Sequence, residues 1–220
     1  QNQCVQLLRI DSNNDQATMF LAELMFMKKE IESAIFHFQQ LLEKRPNYYV
    51  ALETLVRLLR RAGKLDAAIK LYREALALRP GMLEAHNGLG MSLHGLERFD
   101  EAIAQYRRGL AHAPGDPELN NNLGSTFYLK GRFPSALKAF ERATQTDASE
   151  VMYWRNQIMV LKEQGRLDRA EKVLKAALKR HPGHASLNNE ALSLTRAKEV
   201  RTRMATDPDN GVRRPSKAPR

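Results

Sequence analysis

The stretch "AIAQYRRGLAHAPGDPELNNNLGSTFYLKGRFPSALKAF", residues 102–140, contains the pattern that decides the fold. It opens on Ala102 with Tyr106 four residues later, and it closes on Ala136 with Phe140 four residues later. The same pair recurs every 34 residues, as Ala34/Phe38, Ala68/Tyr72 and Ala170/Leu174. Two further columns keep this period, a leucine column (Leu21, Leu55, Leu89, Leu123, then Gln157) and a proline column (Pro46, Pro80, Pro114, then Ala148, Pro182). The chain is therefore a tandem array.

Each column has a physical reason in a pair of packed helices. The small alanine lets two helices approach closely, and the large apolar residue beside it fills the space around the crossing. Proline then ends the second helix, because it cannot continue the hydrogen-bond ladder. Gly63 and Gly165 are predicted to be left-handed residues at helix ends. Four aspartates are predicted to be N-caps, the last of them followed by proline at the first helical position: Asp66, Asp100, Asp168 and Asp116–Pro117.

A 34-residue period with this apolar and proline pattern resembles the tetratricopeptide repeat (TPR) family. The resemblance implies an all-α, right-handed α-solenoid of helix–turn–helix repeats. We expect five repeats, at 15–48, 49–82, 83–116, 117–150 and 151–184. Residues 1–14 are expected to be the second helix of a truncated upstream repeat, 185–204 a capping helix and 205–220 a disordered basic tail. Because the chain begins at Gln1, without Met and in what looks like mid-helix, we expect a piece of a longer protein.

Three residues depart from the columns and predict looser or shifted packing. Ala148 lacks the stop proline, and Val56 and Ile158 stand where the other repeats have the small residues Ala22, Gly90 and Gly124.

Composition sets the class of partner. The net charge is +10 and there is one cysteine, Cys4, which excludes an internal disulfide framework and suggests a reducing compartment. No apolar run reaches the roughly 18 residues of a membrane span, and no signal peptide is visible. We expect a cytoplasmic protein with protein or peptide partners, some of them acidic, within a larger assembly, and neither membrane insertion nor nucleic-acid binding.

The resemblance to TPR proteins also implies a binding groove, lined by repeat positions 2, 5, 6, 9, 12 and 13. These positions place one arginine and five asparagines in the groove: Arg155, Asn87, Asn121, Asn122, Asn156 and Asn189. Asn120 falls one step off it. A side-chain amide both donates and accepts, which suits an extended peptide backbone, and the arrangement resembles the asparagine ladder in the TPR arm of the O-linked N-acetylglucosamine transferase. Alternatively these are solvated, cap-like residues, since Phe20, Thr54 and Gly88 interrupt the ladder.

A basic stripe lies on one first helix, at i, i+3, i+4 and i+7: Arg57, Arg60, Arg61 and Lys64. It could anchor acidic or phosphorylated partner segments. Alternatively, it places cations favourably at a helix C-terminus, with Glu53 paired to Arg57. Met19 and Glu23 stand where a chaperone-binding carboxylate clamp needs Lys and Asn, so binding to chaperone C-termini is disfavoured.

The segment "TMFLAELMFMKK" from Thr18 is apolar nearly all round, which predicts burial on more than one side. Leu21, Leu24 and Met25 are assigned to the repeat core. The remaining apolar residues either form an adaptable patch for a partner or pack against upstream repeats: Met19, Phe20, Phe26 and Met27.

Signatures of catalysis or of cofactors are not found in the sequence. "GLGMSLHG" lies in a helical repeat, without the strand–turn–helix setting of a dinucleotide loop. "HPGH" at 181–184 is a predicted turn without further metal ligands, and "DPDNG" lacks the glutamate that completes a calcium loop. We expect no enzyme activity, no cofactor and no metal site.

Residues 3–66 carry a more specific resemblance, through "QCVQLL", "NDQATM" and "VRLLRRAGKLD". They resemble the tetratricopeptide repeat protein 21 family, which supplies the large TPR subunit of intraflagellar transport complex A. From Ala67 onward the sequence resembles a generic TPR array of bacterial type. The first resemblance implies a non-enzymatic scaffold in retrograde ciliary transport, located at the cilium. The alternatives are the substrate-recruiting arm of an enzyme and a structural spacer; a divergent relative, a fusion and a designed chimera would all show this change of character.

Overall fold

The computed structural model describes residues 15–44 and 49–206, and these residues form helices joined by short turns. The helices are α1 (Asp15–Met27), α2 (Ile31–Lys44), α3 (Tyr49–Arg61), α4 (Leu65–Leu78), α5 (Leu83–Gly95), α6 (Phe99–His112), α7 (Pro117–Leu129), α8 (Phe133–Thr146), α9 (Val151–Glu163), α10 (Leu167–Arg180) and α11 (Ala185–Thr206). The odd-numbered helices begin 34 residues apart. They are called first helices below, and the even-numbered ones second helices. The fold class predicted from the sequence, an all-α repeat array, is confirmed.

The chain divides into two compact units, the first ending at Pro114 and the second beginning at Gly115. In the first unit α2, α4 and α6 each pack against the first helix that precedes them. In the second unit α8 and α10 do the same, and α11 packs on α10 and α9. The helix α11 ends two residues beyond the expected boundary, and residues 1–14 and 207–220 lie outside the described part. No helix among the described residues is both long enough and apolar enough to cross a membrane.

The turn inside each repeat contains one left-handed residue. Gly63 (φ 75°) and Gly165 (φ 66°) are left-handed, as predicted. In two other repeats Lys29 (φ 66°) and Glu97 (φ 58°) take the same place. The left-handed conformation costs a non-glycine residue about 1–2 kcal/mol, so the turn is imposed there by the packing of the helices on either side.

The prediction of aspartate N-caps is wrong for three of the four residues. Helices α4, α6 and α10 begin one residue before Asp66, Asp100 and Asp168, and no side-chain cap bond is made at their N-termini. An aspartate in the first turn instead stabilises the positive end of the helix dipole. Asp116 is an N-cap as predicted, since the backbone N–H of Leu119 donates to its Oδ1 at 2.7 Å, and Pro117 opens α7.

The alanine column lies in the interior of every repeat. All five alanines are fully buried: Ala34, Ala68, Ala102, Ala136 and Ala170. In four of the five repeats the residue at position 8 of the first helix complements in size the residue at position 24 of the second helix. A Cβ on Gly124 would lie 2.7 Å from the Phe140 ring, so glycine makes room for the aromatic side chain. Where position 8 holds Ile158, position 24 holds the smaller Leu174, and both are buried.

Val56 combines a large position-8 residue with an aromatic position-24 residue. It is only 1% exposed, so packing around it is not loose. The ring of Tyr72 lies instead against Gly88 of the next first helix, where a Cβ would overlap its hydroxyl. The glycine that interrupts the predicted amide ladder is thus required by this ring.

Ala148 lacks the predicted stop proline, yet α8 still ends at Thr146. The backbone N–H of Ser149 donates to Asp147 Oδ1 at 2.9 Å and forms a turn there. The carbonyl of Ala148 accepts from Trp154 Nε1 at 3.0 Å and from His181 Nε2 at 3.0 Å. Side chains of α9 and of the turn after α10 therefore fix this loop in place of proline.

Candidate functional site

The first helices of the second unit form a continuous wall. Asn156 Nδ2 on α9 donates to Asn121 Oδ1 on α7 at 2.7 Å. Lys162 Nζ, near the end of α9, donates to Glu190 Oε2 at 3.0 Å and to Ser193 Oγ at 2.7 Å, both on α11. We call the polar positions 5 and 6 of this wall the amide face: Asn121, Asn122, Arg155, Asn156 and Asn189.

The three consecutive asparagines of α7 have three different environments. Asn120 is fully buried, and its Nδ2 donates to the carbonyl of Asp116 at 2.8 Å, so it belongs to the start of the helix. Asn121 is almost fully buried and is bonded to Asn156, while Asn122 is half-buried. Asn189 and Arg155 are exposed.

The bond between Asn121 and Asn156 sets the chemistry of the amide face. It uses one of the two donor hydrogens of Asn156 and fixes that amide, whose oxygen is then oriented to accept. A peptide backbone alternates N–H donors and C=O acceptors, and fixed amides on neighbouring helices can bond both. The arrangement is therefore suited to an extended segment recognised through its main chain.

Charged and phenolic groups lie at the other end of the same helices, and the sequence analysis missed them. Burial raises the pKa of Tyr128, and the neighbouring carboxylate of Glu163, to which its hydroxyl bonds, raises that pKa further. Lys162 lies between Glu190 and Ser193 on the next helix. Tyr128 and Lys162 occupy position 12 of their repeats and Glu163 occupies position 13, and aligning those positions across repeats would have found them.

Asn87, the remaining predicted groove asparagine, is half-buried on α5. Because α5 belongs to the first unit, Asn87 is not counted in the amide face, which consists of second-unit residues only. In the first unit the first helices also contact one another, but through cationic side chains.

Three of the four residues of the basic stripe have intramolecular partners. Arg60 Nη1 donates to Met91 Sδ at 2.9 Å, and the Arg61 guanidinium lies 5.1 Å from the centre of the Phe26 ring. Lys64 Nζ lies 2.6 Å from Glu32 Oε2. Arg57 is exposed. The predicted pairing of Arg57 with Glu53 falls on a side chain outside the described ones.

The four residues of the predicted apolar patch differ in exposure. Phe20 is 54% exposed and Met27 is 78% exposed, whereas Met19 is half-buried and Phe26 lies beneath Arg61. Among the core residues predicted beside them, Leu21 is buried and Leu24 and Met25 are half-buried. The alternative of packing against an upstream repeat concerns residues 1–14, outside the described part.

Two other motifs singled out in the sequence lie in a helix and in a turn of the array. "GLGMSLHG" lies within α5, and "HPGH" is a turn in which Gly183 has φ 76° and Ser186 Oγ lies 3.0 Å from His184 Nδ1. "DPDNG" lies outside the described residues. Within residues 15–44 and 49–206, no group of three or more His, Cys, Asp or Glu could hold a metal ion.

Two family models match the chain. One, described as the TT21 fifth ARM repeats domain, matches residues 15–90, and the other, described as tetratricopeptide repeat, matches 95–151 and 155–200. Tetratricopeptide repeat protein 21A of Mus musculus is 41% identical over 63 residues, which are 29% of this chain and 5% of that protein.

Solved structures share the fold at low identity. "MamA 41-end from Desulfovibrio magneticus RS-1" is 16% identical with a TM-score of 0.67, covering 78% of this chain and 97% of that one. "YrrB: a TPR protein with an unusual peptide-binding site" is 20% identical with a TM-score of 0.61, covering 86% and 97%.

The chain is thus a helical-repeat protein, and its residues 95–151 and 155–200 match the tetratricopeptide repeat model, in keeping with the resemblance that the 34-residue period suggested. Its N-terminal part is similar to the tetratricopeptide repeat protein 21 family, also as predicted. The family match continues to residue 90, beyond the end at Asp66 that the sequence analysis gave it, while the chain spans only about a twentieth of the mouse relative.

Proposed function

We propose that this protein is a non-catalytic scaffold that binds extended segments of partner proteins on the amide face. The observation that carries the proposal is the bond from Asn156 to Asn121, which holds two amides of neighbouring first helices in a fixed arrangement. The solved structure titled a TPR protein with an unusual peptide-binding site, which shares this fold, supports a peptide ligand.

Recognition through the main chain makes the face tolerant of ligand sequence. Asn122 and Asn156 bond the peptide groups, and Asn121 keeps the Asn156 amide oriented. Arg155, which is exposed beside them, favours a carboxylate side chain on one side of the bound, extended peptide.

The test uses peptides selected on the protein from a random-sequence display library. Their affinity is then measured by fluorescence anisotropy for the parent and for Asn122→Ala/Asn156→Ala. Each lost hydrogen bond contributes about 0.5–1.5 kcal/mol, so the double variant should bind most selected peptides about 5- to 150-fold more weakly.

The matched control is Asn188→Ala, an exposed asparagine on α11 outside positions 5 and 6. It should leave affinity unchanged, and circular dichroism should show normal helicity in all variants. Full affinity in the double variant, with helicity intact, would place the ligand elsewhere on the array.

We further propose a role in intraflagellar, retrograde ciliary transport. Support comes from the family match over residues 15–90 and the similarity to the mouse protein. The tagged chain should enrich at cilia of cultured ciliated cells and co-precipitate subunits of transport complex A. A diffuse distribution without those subunits would contradict this role.

On the first unit, we propose that Phe20 and Met27 contact an apolar partner segment and Arg57 an acidic one. The exposure of these three side chains supports the assignment. Phe20→Asp should then reduce the amount of partner protein that co-precipitates with the chain at any ionic strength. Arg57→Glu should reduce it chiefly at low salt, because exposed charge interactions are screened.

The alternative proposal is that the array recruits substrates for an enzyme. The amide column on α7 and α9 favours it, since it resembles the asparagine ladder of the O-linked N-acetylglucosamine transferase arm. A reading frame that continues into a glycosyltransferase domain would decide for this alternative. A structural spacer would select no peptides from the library.

A further inference from the structure

The second helices have a solvent side that stays exposed in every repeat. It consists of repeat positions 22, 26 and 29, and every residue at these positions of α2, α4, α6, α8 and α10 is exposed. The helices α2, α4, α6 and α8 are each followed by a further repeat. The exposure is therefore a property of these positions, and a continuing array does not cover them.

In the second unit this solvent side contains cations and no carboxylate. Its residues are Lys138, Arg142 and Gln145 in α8, and Lys172, Ala176 and Lys179 in α10. We call the four charged residues the cationic face: Lys138, Arg142, Lys172 and Lys179. Within the described part of the chain, no ion pair joins any of these four side chains to another residue. The cationic face therefore has positive charge that the fold itself leaves unbalanced.

The same positions of the first unit are balanced in charge. They contain two cations, Lys70 and Arg108, and two carboxylates, Glu43 and Glu74. Their net charge is therefore zero, so the excess of positive charge belongs to the second unit and does not follow from the repeat pattern.

The residues one helical turn away show the same contrast. In α4, Lys70 lies four residues after Asp66 and four residues before Glu74, the spacing at which opposite charges stabilise a helix. In α8 the residues at this spacing from Lys138 are neutral and cationic, Pro134 and Arg142. The charge of Lys138 is therefore not offset along its own helix.

The carboxylates of α8 and α10 already have cationic partners outside the cationic face. Glu141 of α8 pairs with Arg169 of α10. Asp168 and Glu171 of α10 both pair with Lys198 of α11. These three are the acidic residues of α8 and α10. The pair between Glu141 and Arg169 also places the two halves of the cationic face on adjacent helices.

The chemistry of the cationic face selects one class of ligand. Three of its four cations are lysines, which act as compact point charges without the planar, two-point geometry of arginine. Its neighbours at the same positions are Gln145 and Ala176, so it has neither an aromatic ring to stack on nucleic-acid bases nor a large apolar side chain to enter a lipid layer. The complementary ligand is an acidic stretch of polypeptide.

The spacing of the cations sets the length of that stretch. Lys172 and Lys179 are seven residues apart, which is about 10 Å along α10. An extended chain covers this distance in about three residues. A short run of acidic residues is therefore long enough to reach both lysines.

We propose that the cationic face binds an acidic, extended segment of a partner protein. The amide face lies on the first helices and uses other residues, so changes in one face leave the other intact. Recognition depends on the density of negative charge and not on a fixed sequence motif, because lysine side chains adapt to many positions of a carboxylate.

The test uses the full chain and two fluorescein-labelled peptides, one of alternating Glu and Ser and one of alternating Gln and Ser. At low ionic strength, fluorescence anisotropy should show binding of the Glu peptide and not of the Gln peptide. The affinity for the Glu peptide should fall as salt is added, because interactions between exposed charges are screened.

Two variants with the same net charge make the assignment specific. Lys138→Gln/Lys172→Gln removes one cation from each helix of the cationic face, and it should weaken the Glu peptide about 2- to 30-fold, the range of two exposed ion pairs. The matched control, Lys70→Gln/Arg108→Gln, removes two cations from the same positions of the first unit and should bind as the parent does. Circular dichroism should show normal helicity in both, since all four residues are exposed.

A third variant separates this proposal from the amide face. Asn122→Ala/Asn156→Ala should bind the Glu peptide as the parent does. A loss of affinity in that variant would overturn the assignment to the cationic face, because the acidic peptide would then lie on the first helices.

Three further results would overturn the inference. The first is no binding of the Glu peptide at low ionic strength, and the second is an equal loss of affinity in the two charge variants, which would reflect net charge alone. The third is displacement of the Glu peptide by phosphatidylserine vesicles or by a single-stranded oligonucleotide at lower concentrations of charge than by unlabelled Glu peptide, because it would assign the face to a membrane or to a nucleic acid.

Discussion

Phe140 and Gly124 provide a quantitative test of the size rule between the two helices of a repeat. A Cβ on Gly124 would lie 2.7 Å, 2.8 Å and 3.0 Å from three atoms of the Phe140 ring, and this ring is fully buried. Gly124→Ala would normally stabilise the interior of α7 by about 1 kcal/mol through helix propensity. Here the added methyl group overpacks the crossing, which costs about 1–3 kcal/mol.

The second change, Phe140→Leu, removes the clash. Alone it costs about 1 kcal/mol, from lost apolar contact and a small cavity. In the double variant the methyl group fills the space that the ring has left, and the helix-propensity gain returns. The double variant should be more stable than the sum of the single changes by about 1–3 kcal/mol.

Urea unfolding followed by circular dichroism at 222 nm measures this coupling, with the m-value checked because repeat arrays can unfold in parts. The control cycle pairs Phe140→Leu with Ser125→Ala, a neighbouring half-buried residue of α7. It should be additive within about 0.5 kcal/mol. Additivity in the Gly124 cycle as well would refute the reasoning, because the ring would not be packed on the glycine.

Three further outcomes are expected. Bonds from Lys175 and Lys198 lower the pKa of Glu171 to about 2. The contribution of Glu171 to the stability of α11 is therefore complete above the ordinary pKa of 4.5 and is lost as the pH falls toward 2. Amide hydrogen exchange in α11 should become faster over that range in the parent, but not in Glu171→Gln. Gly88→Ala should lower the melting temperature by several degrees, and Tyr72→Leu, which removes the overlapping ring, should restore it. Ala102→Leu should cost about 1–3 kcal/mol at the fully buried crossing of α5 and α6, and an unchanged melting temperature would contradict the assigned register.

The fold could be predicted from the sequence because every repeat packs its two helices through residues at the same repeat positions. The alanine and proline columns, and the glycines after α3 and α9, follow from helix geometry alone. The N-caps predicted at Asp66 and Asp168 lie two residues too late, because aspartate is favourable both at a cap and within the first turn. Single sequence positions do not distinguish these two placements.

The site was only partly predictable, for a different reason. The groove positions follow from the repeat register. Whether an amide there bonds to another side chain of the array depends on which residues stand at two different repeat positions. Asn121 and Asn156 stand at positions 5 and 6 of successive repeats, and their bond needs both. The donation from His86 Nε2 to the carbonyl of Pro80 at 2.9 Å is another such case, matched by Trp154 and Ala148.

Departures from the columns are compensated within one or two helices of where they occur. The large Ile158 is met by the smaller Leu174, and the missing proline at Ala148 by a turn and two side-chain donors. Repeat proteins allow this because each repeat contacts mainly its neighbours, so a change in one repeat can be compensated by residues of the adjacent helices. Leu192 differs from the other large residues of this column in the described part of the chain, since Val56 and Ile158 are buried whereas Leu192 is 61% exposed.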